Sequence, residues 1–66
     1  MDKAKQVADE LKKMYLTNQI PTSVQEDINE ISDGLTNGTV DLNDLENRDP
    51  FVVDVIHKAL NRVGGQ

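Results

Sequence analysis

No cysteine occurs among the 66 residues, which excludes disulfide scaffolds, thiolate zinc sites and cysteine nucleophiles. Tryptophan is absent as well, and Tyr15 and Phe51 are the only aromatic residues, so the core has to be built from aliphatic side chains, with these two rings as its anchors. No apolar run approaches the roughly 18 residues of a membrane span. The N-terminal stretch MDKAKQVADELKK is charged every few residues, so neither a membrane anchor nor a secretory leader is expected, and the location expected is cytoplasmic. Basic residues are scarce: seven Lys and Arg stand against twelve Asp and Glu, a formal charge of −5. That balance argues against direct nucleic-acid binding, which needs a net basic surface. It favours a protein partner with a basic surface instead. At 7.4 kDa there is room for one domain and little room for an enclosed active site, so neither an enzyme nor a cofactor is expected.

What the chain does contain is helical periodicity. Ala4, Val7, Ala8, Leu11, Met14 and Tyr15 recur at intervals of three and four, which predicts an amphipathic helix over 3–17, ended by Asn18 and Ile20-Pro21. Ser23 and Glu26 form a capping-box pattern, so a second helix should begin near residue 23. Val24, Ile28, Ile31 and Leu35 make its apolar stripe, and Gly34 is the expected left-handed cap. Asn37-Gly38 is a turn signal, with room for very short strands on either side. Asp41 and Asp44 suit the start of a brief helical turn through Leu45. Asp49-Pro50 then opens a last helix whose apolar face runs from Phe51 to Val63, the proline taking the first helical position. The β-branched run FVVDVI would also suit a strand, but both end signals favour the helix. The fold class expected is all-α: a single three- to four-helix domain over 1–63 with the terminal helices packed on the second, and a flexible tail over 64–66. The breadth of the last apolar face, with Val53 and Leu60 outside its central stripe, also suggests a homodimer through that helix.

The charge is partitioned along the chain. Between Met14 and Asn47 there is no Lys or Arg, while Glu26, Asp27, Glu30, Asp33, Asp41, Asp44 and Glu46 give that stretch −7. The two ends together carry +2. At 100° per residue Glu26, Glu30 and Asp33 fall within roughly 60° of one another, opposite the apolar stripe. Neighbouring acids without an intervening base repel by a few tenths of a kcal/mol, so stability alone would tend to alternate the signs. The seven acids are therefore the candidate partner-binding residues. The reading they support is occupation of the nucleic-acid site of a basic protein, with an adaptor-like contact on an enzyme such as a polymerase or protease as the alternative.

Three resemblances bear on this. Residues 33–44, DGLTNGTVDLND, resemble an EF-hand or dockerin calcium loop, which implies Asp33, Asn37, Thr39, Asp41 and Asp44 as oxygen ligands. Leu35 stands where that loop needs an oxygen, and Asp44 is a methylene shorter than the bidentate glutamate. An Asn-Gly turn followed by an aspartate-capped turn accounts for the same residues. The C-terminal Gly64-Gly65-Gln66 is similar to the tail of prokaryotic ubiquitin-like proteins, which implies ligation through Gln66; the capped amphipathic segments depart from that largely disordered family. Small size, acidity and the lack of catalytic apparatus resemble the host-takeover inhibitors encoded by bacteriophages, a likeness that implies a host protein as partner. His57, the one histidine, is read as a partly exposed helix residue beside Asp54.

Overall fold

The first apolar stripe folds as expected. In the computed structural model, which describes residues 3–64, α1 spans Lys3–Leu16 and buries Val7, Ala8, Leu11 and Met14. It stops because Asn18 takes up a left-handed conformation, φ 64°, which short polar side chains tolerate. The Gln19 N–H then closes onto the Met14 carbonyl at 2.8 Å. Ile20, buried as the chain turns, leads into a 3₁₀ turn at Thr22–Val24, and α2 follows over Gln25–Asn37. The capping box is not made: Val24 is the residue that precedes the helix and no side chain caps it. Pro21 starts the 3₁₀ turn by accepting from the Val24 N–H at 3.0 Å, which places Ser23 inside that turn rather than at the helix boundary.

The end of α2 also differs from the sequence expectation. The left-handed residue is Gly38, φ 84°, and Gly34 is a buried interior residue of the helix. Its carbonyl accepts from the Gly38 N–H, from Thr39 N–H at 2.9 Å and from Val40 N–H at 3.1 Å, so three donors of the reversing chain converge on one acceptor. No strand forms beside Asn37-Gly38 among the described residues. A six-residue 3₁₀ helix, Leu42–Asn47, follows, with Asp41 accepting from the Asn43 N–H at 3.2 Å and Leu45 buried. Asp49 and Pro50 open α3, Pro50–Gly64, as expected: Asp49 Oδ1 accepts from the Phe51 N–H at 3.0 Å. Gly65 and Gln66, the rest of the expected tail, lie outside the described residues.

The chain is thus all-α, and α1, not α2, is the element on which both other helices pack. Val7, Leu11 and Met14 of α1 are at most 1% exposed, and Ile28, Ile31 and Leu35 of α2 share one core with them and with Val52, Val55, Ile56 and Ala59 of α3. Ala8 and Ser32 are both fully buried, and the Ser32 hydroxyl donates to the Ala8 carbonyl at 3.2 Å, tying α1 to α2 and satisfying the one buried polar side chain among the described residues. Arg62 ties the end of α3 to α1 and to the turn that follows it, reaching Glu10 at 3.3 Å and Gln19 Oε1 at 2.5 Å.

The two aromatic rings are not core anchors. Phe51 is 72% exposed, because it stands roughly 40° outside the arc that Val55 to Ile56 turn inward and lies in the first turn of α3. Tyr15 falls on the α1 stripe but in its last turn, and is 39% exposed. Leu60 and Val63 are half-buried against the core, so the apolar strip left on α3 is narrower than its sequence suggests.

A Cβ on Gly34 would overlap Val40 Cγ2 and stand 2.9 Å from Val40 Cβ. Gly34→Ala is therefore expected to lower stability by about 1–2 kcal/mol in urea denaturation, the overlap exceeding the gain in helix propensity. Val40→Ala removes the Cγ2 overlap but keeps the Cβ that stands 2.9 Å away, so in a double-mutant cycle Gly34→Ala should cost less beside Val40→Ala than in the wild type; an additive cycle would show that the overlap is not the cause of the loss.

Candidate functional site

Helix α2 sets out the acidic residues by its own periodicity. With Ile28, Ile31 and Leu35 turned into the core, Glu26, Glu30 and Asp33 are left on the outer face, all exposed. Glu26 and Glu30 are one turn apart, about 6 Å along the axis. Asp27 is exposed beside them, and with Glu26 it occupies the first turn, where the helix dipole favours negative charge. No Lys or Arg stands on this helix, but one reaches it from α1: Lys12 Nζ lies 3.8 Å from Asp33 Oδ1, both side chains more than half exposed. At that exposure the pair contributes roughly 0–1 kcal/mol.

The other three acids of the candidate set belong to a different element. Asp41 is spent on capping the 3₁₀ helix Leu42–Asn47, and Asp44 lies in that helix's first turn. Glu46 Oε2 meets His57 Nε2 at 3.3 Å, so the histidine's partner is Glu46 from the preceding segment rather than Asp54 on its own helix. This segment packs on α3. The −7 stretch therefore divides into an α2 group of four and a group of three at the foot of α3. Glu26, Asp27, Glu30 and Asp44 make no side-chain hydrogen bond or ion pair among the described residues.

The calcium-loop alignment fails on conformation. Asp33 to Asn37 are helical and Asp33 faces Lys12, so residues 33–44 do not wind around a common centre. No group of three or more His, Asp or Glu is placed to hold a metal ion among the described residues. The Ser32 hydroxyl is buried and bonded to the Ala8 carbonyl, so it is not placed as a nucleophile for the His57–Glu46 pair.

Beside the α2 ridge the structure opens a feature that periodicity did not reveal. Lys12, Tyr15 and Leu16 of α1 and Asn29 and Asp33 of α2 line an open groove of about 260 Å³. Leu16 is 80% exposed, the most exposed large apolar side chain described. Its signal in the sequence was its position: it is the apolar residue of α1 that falls off the Val7–Leu11–Met14 stripe.

Fold and surface together define a small acidic three-helix domain with an exposed carboxylate face on α2 and an open apolar groove next to it. The chain belongs to the YgzA protein family, whose model matches residues 1–63. It is 41% identical over 63 residues to the uncharacterized protein YgzA of Bacillus subtilis (strain 168), a match covering 96% of this chain and 94% of the relative. No solved structure matches significantly. No helix among the described residues is long and apolar enough to cross a membrane.

Glu30 is the ridge residue least favoured by its own helix, since it lies beyond the first turn with Glu26 and Asp27 preceding it. Glu30→Gln should raise stability by roughly 0.2–0.5 kcal/mol in low-salt urea denaturation, with the gain fading at high salt. A clear loss of stability would instead assign Glu30 a structural role.

Proposed function

We propose that this protein is a non-enzymatic binding domain whose α2 carboxylate face docks on the basic, nucleic-acid-binding surface of a larger protein and blocks it. The observation that carries the reading is that Glu26, Asp27 and Glu30 share one exposed helix surface with no ion pair to a cation among the described residues: Lys12 reaches only Asp33 on this helix, and Arg62 and His57 are engaged elsewhere. Unpartnered carboxylates raise a local negative potential that steers a basic partner and sets its orientation. The spacing of Glu26 and Glu30, about 6 Å, is close to that of successive phosphates along a nucleic-acid strand. A surface of this extent mimics a few phosphates, so the mode of action is local competition rather than replacement of a whole duplex. The open shape of the groove beside the ridge supports a binding role over catalysis there. The reading does not depend on a phage context, and the 41% identical relative is a Bacillus protein.

The test compares immobilised wild-type protein with the Glu26→Gln/Glu30→Gln/Asp33→Asn variant as bait in a Bacillus lysate. All three side chains are exposed, so the variant should fold. Wild type should retain a basic protein that is released both by raised salt and by a DNA oligonucleotide, and the variant should not. Retention of the same proteins by both baits, or failure of the oligonucleotide to displace them, overturns the proposal.

A further inference from the structure

The groove and the carboxylate ridge are continuous, and their continuity specifies more about the occupant than charge does. Asp33 belongs to both: it lines the groove with Tyr15, Leu16 and Asn29, and it lies on the same α2 face as Glu30 and Glu26. An apolar floor is thus edged on its α2 side by Asn29 and the Asp33 carboxylate, with Glu26 and Glu30 next to Asp33 on the adjoining helix face. Resting on the docking function proposed above, we infer that the groove takes an aliphatic side chain of the partner, presented on a segment that carries Lys or Arg on either side of it.

Three observations select this occupant. Leu16 at 80% and Tyr15 at 39% exposure offer apolar surface that no segment described here covers, and burial of a partner's aliphatic side chain against them is favourable. The cations that would flank such an anchor fall beside Asp33 and Glu30. Lys12, the one basic residue at the groove, is held by Asp33 only through an exposed contact at 3.8 Å, so an incoming guanidinium displaces it at little cost and can then pair bidentately. A second copy of this chain is disfavoured as occupant, because each carries a net charge of −5. A purely cationic segment is a poorer fit, since it would leave the Leu16 surface in water.

The experiment titrates the full, isotope-labelled chain with two short helical peptides of equal charge. One has Leu at helical spacing among lysines, and the other has Ala at every Leu position. The Leu peptide should shift the amide signals of Tyr15, Leu16, Asn29 and Asp33 and bind roughly fivefold more tightly than the Ala peptide. Leu16→Ser should bring the Leu peptide down to the affinity of the Ala peptide. Phe51→Ser, which removes another largely exposed apolar side chain from α3, should leave the preference intact. Equal affinity for both peptides, with shifts confined to the Glu26 and Glu30 face, rejects the anchoring groove while the acidic docking surface stands. Shifts centred on Phe51 reject the groove in favour of α3. Binding by neither peptide rejects both this inference and the docking reading on which it rests.

Discussion

The reversal of the chain around Gly34 is the constraint on which the second half of the molecule depends. Three consecutive N–H groups, from Gly38, Thr39 and Val40, converge on the Gly34 carbonyl, and Val40 folds back over the place where a side chain on residue 34 would stand. A left-handed glycine at 38 turns the chain, and the bare α-carbon at 34 lets it return in contact with the helix it has just left. Without that return Leu45 would not reach the core, and the following segment would not deliver α3 to the face of α1. The same arrangement keeps α2 helical through Asn37, so its acids are held on a rigid face instead of in a loop.

Legibility in the sequence tracks how local each determinant is. Asn18 and Asp49-Pro50 act through their own backbone neighbourhoods, and the ends of α1 and α3 were readable from them. Gly34 and Gly38 are different: both are compatible with a helix stop by propensity, and only the contact with Val40, six residues away, decides which is interior. Ser23 and Glu26 had the spacing of a capping box, but Pro21 imposes a 3₁₀ turn that moves the helix start past Ser23. The two aromatic rings were misplaced because size alone suggested burial. Their position at helix ends, in a domain whose core is complete with Val, Leu, Ile, Met and Ala, leaves them outside.

For the surface, the sequence displayed the acids and hid their partners. Lys12 is 21 positions from Asp33 and Glu46 is 11 from His57, separations at which no periodicity argument operates. Asp41 and Asp44 were already legible as the start of a separate helical turn; what packing adds is that Glu46 pairs with His57 and that Lys12 reaches Asp33. The groove was equally hidden, since it exists only where the last turn of α1 passes Asn29 and Asp33. Its one residue with a sequence signature is Leu16, apolar on the wrong side of an otherwise regular stripe.

The remaining acids differ in how far folding explains them. Glu26 and Asp27 lie in the first turn of α2, where the positive end of the helix dipole favours a carboxylate by about 0.3–1 kcal/mol. That term offsets their mutual repulsion, so their presence follows from helix physics before any partner is invoked. Asp33 has Lys12. Glu30 has neither: it lies past the reach of the dipole, one turn from Glu26 and three residues from both Asp27 and Asp33, with no cation of its own. Of the carboxylates on this face it is the one that the fold does not use. Because Glu30 sits between the dipole-stabilised end of the ridge and the rim of the groove, it is also what makes the two a single anionic surface.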